Sequence, residues 1–548
     1  MAKRNKYILL VLIFIFFDYN LNSQKVDIIV SGEAKTQTTI LNNETFKINL
    51  NENDLKNFKS KGFISYADIG AAGDGKSDDI NFIIATHHIA NKYGLAVRAN
   101  IGAKYFIGGK GKSAIIKTNT NFLNSTFIID DTNVKNREAS IFSVESNLNP
   151  ISINGVNRVK KNQDKININL KTSCLITVSD SNIRNYIRYG LNQNNGKPQT
   201  DIFIIDQYGK IDRSSPIIWD FDDITEISAI PIDAKQLIIN GGKFITIANK
   251  APSKYTYYSR NISITRSNVI VKNLEHTIIG EGDNGAPYRG FISISDCSNI
   301  TVKGCVLTGH KTYRTIGNAG KPVSMGSYDL SVRRSINVSI INCKQTNDIN
   351  DDTYWGLFAS NYSKNITFDN CIFSRFDAHM GVYNATIRNS TLGYMGINAI
   401  GSGTLLIENT KVYGRSLVNF RQDYGSTWDG ELFIKNCVFA PKKSNSKYLA
   451  IFNGRNSGKH DFGYTCKMPK NIIIDNLFFD DSDFNEEKKS LVIFSNFNPE
   501  MKSDNYSETF PYIKTKKIIL NNLTTSSGNE LLISENPFMF KEMKIERN

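Results

Sequence analysis

His379, Asn398 and Asn419 stand 19 and 21 residues apart, with Arg421 two places beyond the last and Tyr383 four beyond the first. In a chain that folds in turns of about that length, these three lie one above another on consecutive strands, and Arg421 and Tyr383 project from the same face. An imidazole, two amides, a guanidinium and a phenol on one face suit the removal of a proton beside a carboxylate. The amides or Arg421 would neutralise the carboxylate of a uronate. His379 or Tyr383 would then take its C5 proton, and the other would protonate the leaving oxygen. That chemistry is β-elimination on an acidic sugar, and these five are the candidate catalytic residues.

Residues that would hold such a sugar follow in the same region. Lys311 and Arg314 lie in the stretch 309–334, Trp355 and Arg375 in 348–383, Tyr424 and Trp428 in 414–429, and His460 and Tyr464 in a later loop. The cations would meet anionic groups and the rings would stack on sugars. Asp351, Asp352 and Asp377 are candidate oxygen ligands for Ca²⁺, although nothing resembles an EF-hand loop or a zinc spacing. The competing chemistry is glycoside hydrolysis by paired carboxylates, for which Asp351, Asp352, Asp377 and Asp423 are available.

The elements that must position these groups repeat visibly. Units such as Asn299-Ile-Thr-Val-Lys-Gly-Cys305, Asn337-Val-Ser-Ile-Ile-Asn-Cys343 and Asn365-Ile-Thr-Phe-Asp-Asn-Cys371 recur from 268 to 523, with successive starts 31, 38, 28, 19, 20, 27, 40 and 46 residues apart. The second and fourth places are apolar, the period-2 pattern of a strand facing a core. The shortest intervals give one turn of a coil of three short strands, and the longer ones require loops inserted into that turn. An Asn at the sixth place fits a sharp corner, where its amide can bond stacked backbone and its own backbone tolerates the left-handed region. A second strand is expected before several units, including 322–329, 354–361, 378–384, 397–403 and 417–423. Cys305, Cys343, Cys371 and Cys437 share one place in their units and read as a ladder of small buried side chains.

The bulk properties narrow the partner. The 548 residues carry 66 Lys and Arg against 52 Asp and Glu, a formal charge of +14, which favours an anionic partner. The cations are scattered and form no nucleic-acid module, so nucleic acid is not expected. Lys3, Arg4 and Lys6 precede an apolar run from Tyr7 to Phe17, followed by a polar stretch, as in a secretory signal. A run of that length is too short to cross roughly 30 Å of hydrocarbon, so no stable membrane insertion is expected. Export to an extracellular or periplasmic space then leaves an acidic polysaccharide as the expected partner of a monomeric chain.

Tyr66-Ala-Asp-Ile-Gly-Ala-Ala-Gly-Asp-Gly-Lys-Ser-Asp-Asp79 precedes a helix expected over Ile80 to Tyr93, stopped by Gly94, with Asp78 or Asp79 as its cap. In this segment the chain resembles the pectin-lyase-like superfamily of secreted right-handed parallel β-helix proteins, in which such a turn and helix cover the open end of the solenoid. More loosely, the block from Trp355 to Cys466 resembles β-helix lyases of the glycosaminoglycan type, acting on chondroitin sulfate or hyaluronan, with pectin or alginate as related substrates. The resemblance extends as well to hydrolases and to non-catalytic adhesins or tailspike-like proteins. The expected fold is therefore all-β: a single-stranded right-handed parallel β-helix with an N-terminal capping helix and long side loops. The expected boundaries are a signal over 1–23, an extension over 24–61, the cap and first coils over 62–135, and the solenoid with its catalytic loops over 136–548.

Overall fold

The alternation in the repeat unit is what the coil buries. In the computed structural model, Ile366 and Phe368, Ala385 and Ile387, Leu405 and Ile407, and Leu432 and Ile434 are each at most 1% exposed, and each pair stacks in parallel register on the next. The structure describes residues 25–547, apart from 33–34, 41–44, 254–256, 283–285, 318, 357, 443–445, 457 and 488. The expected signal segment lies outside the described residues.

Three parallel sheets run along one axis, so the chain is a parallel β-helix. The first contains Val269–Lys272 and the matching strand of every later unit. The second begins just past the corner, with Glu275–Ile279 and Val306–Leu307. The third holds Phe142–Val144, Ile262–Ile264, Ile292–Ser295 and Leu330–Arg333. It contains most of the strands expected ahead of the units. The exception is 322–329: Pro322–Met325 leaves the coil and forms an antiparallel hairpin with Tyr313–Ile316.

The corners explain the Asn. Asn342, Asn370, Asn389 and Asn409 have φ between 47° and 53°, and Gly304, which takes the same place in its own unit, has φ 63°. Left-handed backbone costs most residues about 1–2 kcal/mol, and Gly and Asn least. The amides bond one another along the ladder rather than the stacked backbone. Asn370 Nδ2 donates to Asn342 Oδ1 at 2.9 Å and Asn409 Nδ2 to Asn389 Oδ1 at 3.2 Å. A second column at the first place of the unit does the same, Asn365 to Asn337 and Asn384 to Asn365. The four cysteines are buried free thiols just past the corner.

The solenoid's N-terminal end is covered by the helix Ile80–Tyr93, whose Ile80, Ile83, Ile84, Ile89 and Ala90 are buried and which Gly94 ends at φ 69°. Asp79 is not its side-chain cap. Its carboxylate accepts from Ala72 and Gly73 N–H groups instead, fastening the Gly-rich turn to the helix start, while Asp78 accepts from Ile80 N. Ahead of it, strands Lys25–Ser31, Thr45–Asn51 and Gln37–Ile40 form a small sheet. That sheet and the helix Glu52–Lys61 contribute Ile48, Leu50, Leu55 and Phe58 to the main core.

One element breaks the expected continuity of 136–548. Phe142–Val144 pairs directly with Ile262–Ile264, and Thr120–Asp130 with Leu237–Ile247, so the chain leaves the coil between 144 and 237. There Cys174–Asn185 pairs antiparallel with Lys197–Ile205 and with Glu226–Pro231, around a separate core that includes Ile176, Val178, Phe203 and Phe221. This module lies on the solenoid. Lys364 and Asp201 form an ion pair of 2.8 Å with side chains 2% and 1% exposed, and Leu175 and Ile202 cover Ile336.

Candidate functional site

The outward face of the third sheet carries a polar column, but not the one the spacing implied. In register, Asp377 stands beside Asn398, Asn398 beside Asn419, and Asn419 beside Asn453. Asn419 Nδ2 donates to Asn398 Oδ1 at 2.8 Å. His379 is out of the column because the register shifts between Phe373 and Arg375, which puts Asp377 opposite Asn398. Its Nδ1 faces Asn361 Oδ1 at 3.1 Å on the preceding rung.

Arg421, expected to neutralise a substrate carboxylate, has its charge already engaged. Its Nη1 meets Asp377 at 2.5 Å, and its Nε and Nη2 meet Asp423 at 3.2 and 3.0 Å. Arg375 holds the other oxygen of Asp377 at 2.7 Å, and Arg188 of the inserted module also bonds Asp423. The result is one chain of alternating charge, Arg375, Asp377, Arg421, Asp423, Arg188, buried at Arg375 and Asp377 and partly exposed at Asp423. Burial works against the charge of Asp423, but the flanking guanidiniums hold its carboxyl far below the usual range.

The same surroundings work against His379 as a base, although its side chain is only partly buried. Burial, with Arg421 nearby, lowers its pKa to about 3. A base that weak is poorly matched to chemistry near neutral pH. The inserted module supplies the cover: Tyr186 packs edge-on against Tyr362 and Tyr424, and Tyr424 lies edge-on to His379 with Arg188 over its ring. Tyr464 sits in the same cluster, its hydroxyl donating to the Tyr424 carbonyl.

Other expected contacts are also structural. Trp428 is fully buried in the main core, its Nε1 donating to Gly403 O at 3.1 Å. Tyr383 lies past a corner, half-buried beside Lys364. His460 stacks on Tyr189 of the module at 4.4 Å. Lys311 pairs through its backbone with Tyr354 and with the Glu281 carboxylate. The three carboxylates expected to hold Ca²⁺ do not converge: Asp377 is taken by two arginines, and Asp351 accepts from Thr353 within a turn. Among the described residues no three His, Cys, Asp or Glu side chains gather as a metal set.

What the fold does assemble is a cleft of about 690 Å³ over the polar column. Asn398, Asn419 and Asn453 line it, with Arg314 on the 313–325 hairpin, Asp352 and Trp355 in the segment before the third sheet, and Tyr394 and Arg415. Tyr394 is buried, its hydroxyl donates to the Asp352 carbonyl at 3.4 Å, and Arg415 lies 5.9 Å from its ring. Arg314 and Arg415 are exposed, and among the described residues neither is held in an ion pair. Of the expected residues, the cleft thus collects Asn398, Asn419, Trp355, Arg314 and Asp352. It adds Tyr394, Arg415 and Asn453, and for Asn453 the signal was its place on the strand after Asn419.

No family model matches the chain. A capsule KL64-specific depolymerase of Klebsiella phage P510 is 32% identical over an alignment of 104 residues that covers 16% of this chain and 10% of that protein, so the chain spans about a tenth of the relative's length. Among solved structures, the tailspike gp61 of Pseudomonas phage phi297 superposes with a TM-score of 0.52 at 13% identity, over 88% of this chain and 84% of that one. At that identity the likeness is one of fold, and it places the chain among parallel β-helix proteins.

Proposed function

We propose that the chain is a secreted glycan-active β-helix protein that cleaves an acidic, uronate-containing polysaccharide by β-elimination, in the cleft between Trp355 and Arg415. The observation that carries this reading is the set of groups in one cleft: two exposed arginines that pair with no carboxylate among the described residues, a column of amides, and a phenol beside one of the arginines. Arg314, Arg415 and the amides suit a carboxylate whose negative charge must be neutralised before the neighbouring proton becomes acidic. Tyr394 is then the group that moves the proton. Acting as the phenolate, it takes the proton from C5, the C4–O bond breaks, a C4–C5 double bond forms, and the phenol so formed returns that proton to the leaving oxygen. Hydrolysis by a carboxylate pair is less well supported, because Asp352 alone among the lining residues is acidic. The short match to a phage capsule depolymerase adds bacterial capsular polysaccharides to the candidate substrates.

The test is a screen of the purified protein against capsular polysaccharides, alginate, pectin, chondroitin, hyaluronan and heparin. Ultraviolet absorbance of an unsaturated uronate is the expected product signal. Reducing ends without that absorbance would replace elimination by hydrolysis, and binding without either would make the chain a non-catalytic glycan receptor.

A further inference from the structure

Trp355 is set into the cleft wall by two neighbours of opposite kind. On its buried side the Arg375 guanidinium lies 4.8 Å from the ring centroid, and Arg375 is itself only 3% exposed. At the pyrrole edge the ring meets Gly326, where an added Cβ would stand 1.7 Å from Trp355 Nε1 and 2.2 Å from Cδ1. Gly326 does not have a left-handed backbone, so glycine is required there for space alone. A side chain at 326 and the indole at 355 exclude one another.

We propose that Trp355 forms a sugar-ring subsite of the cleft, that Gly326 is the specificity-determining residue that admits its ring, and that Arg375 is the positioning residue behind it. This rests on reading the cleft as a glycan site. The ligand is a pyranose whose C–H face lies on the outer face of the indole while its anionic substituents meet Arg314 and Arg415. Arg375 is anchored to Asp377, and Asp377 belongs to the third-sheet ladder, so the plane of the indole is tied to the solenoid rather than to its loop. Stacking of this kind needs a fixed ring presented edge and face to the ligand.

The experiment is a double-mutant cycle on binding of the polysaccharide identified by the screen, or of the whole panel where no cleavage is seen, with thermal melting as the fold control. Trp355→Ala and Gly326→Ala are each expected to weaken binding by about 2- to 12-fold, the range that stacking supplies. The double variant should bind no more weakly than Trp355→Ala alone. In the cleaving protein Gly326→Ala should raise KM and spare kcat. Ala lacks the ring atoms that collide at 326, so Gly326→Ala in the Trp355→Ala background should melt and bind like Trp355→Ala, even where Gly326→Ala alone does not fold.

Unchanged binding in Gly326→Ala, effects that multiply in the double variant, or a double variant that melts below Trp355→Ala would overturn the subsite. If Arg415→Ala abolishes binding while Trp355→Ala leaves it intact, the cleft reading stands and the subsite falls. If the wild type binds nothing in the panel, or no cleft variant alters binding, the cleft reading falls and the subsite with it.

Discussion

Arg421 reaches back across two rungs to Asp377, its Nη1 2.5 Å from a carboxylate that is fully buried. That contact turns a residue suited to substrate binding into part of the scaffold. Asp377 is the residue in register with Asn398, and the arginines at 375 and 421 hold it in the column. Replacing Arg421 by Ala leaves Asp377 with half its neutralising charge in a desolvated place. Breaking a buried pair in this way costs about 3–5 kcal/mol. The expected outcome is a lower urea midpoint with little change in KM for the protein that remains folded. A selective loss of turnover at unchanged stability would return Arg421 to the active site.

A second buried network makes stability sensitive to alkali. His310 Nδ1 faces Glu281 at 2.9 Å and Nε2 faces Asp329 at 3.2 Å, while Asp329 also meets His276 at 2.7 Å. Burial alone would lower the His310 pKa, but the charge of Glu281 and the bonds from Asp329 and Glu281 outweigh it and raise the value from 6.5 to about 10. The folded state therefore holds this proton more tightly than the unfolded one. Its stabilisation is complete below the ordinary pKa near 6.5 and is lost as pH rises through about 10. Melting temperature should fall between pH 7 and 10, and His310→Gln should flatten that slope while lowering the neutral-pH value.

The corner ladder gives a third test, at an exposed residue that does not line the cleft. Asn389 has φ 52°, accepts from Asn409 and donates to Asp369. Asn389→Ala keeps the left-handed strain and removes the bonds, so a loss of roughly 1–2 kcal/mol is expected from the backbone term alone. Asn389→Gly should lose less. Equal losses in denaturant unfolding would mean that the amide ladder, and not the backbone angle, selects Asn at the corner.

These residues also mark what was legible in the sequence. Core alternation and corner Asn are local and repeat every rung, so Ile366, Ala385 and Leu405 announced the coil and Asn389 its corner. The outward column was not legible, because a register shift between Phe373 and Arg375 moves Asp377, and not His379, opposite Asn398. Counting residues between rungs cannot see a bulge. The inserted module escaped notice for a related reason: Ile176, Val178, Phe203 and Ile205 alternate as rung strands do, and only their antiparallel pairing distinguishes them. With the module in place, Tyr424 and Tyr464 become buried cover rather than sugar contacts, and Trp428, equally plausible as a loop ring, fills the coil's core.

In the cleft, Tyr394→Phe removes the one hydroxyl assigned to move the proton and leaves the ring that packs. A loss of about 10²- to 10⁴-fold in kcat is expected, with KM little changed. Arg415→Ala should instead weaken binding of the acidic polymer and reduce its salt dependence. A Tyr394→Phe variant that cleaves at the wild-type rate would assign the proton transfer to another group.

The last prediction concerns how the module stays on the coil. Lys364 and Asp201 are almost wholly buried, and the Lys364 ammonium also donates to the Pro216 carbonyl, so the pair is desolvated but bonded. Burial lowers the Lys364 pKa and raises that of Asp201, each opposed by the partner's charge. Lys364→Met leaves the buried Asp201 carboxyl with only its backbone bonds from Ile202 and Ile218 and no opposite charge, a change worth about 3–5 kcal/mol. Replacing both partners, with Lys364→Met and Asp201→Leu, removes the stranded charge and should recover much of that loss. Because the module has its own core, the single variant is expected to loosen its docking before it melts the coil. Limited proteolysis should then cut between 145 and 236 while the stacked strands resist. Loss of protection along the whole chain at once would show instead that module and coil unfold as one unit.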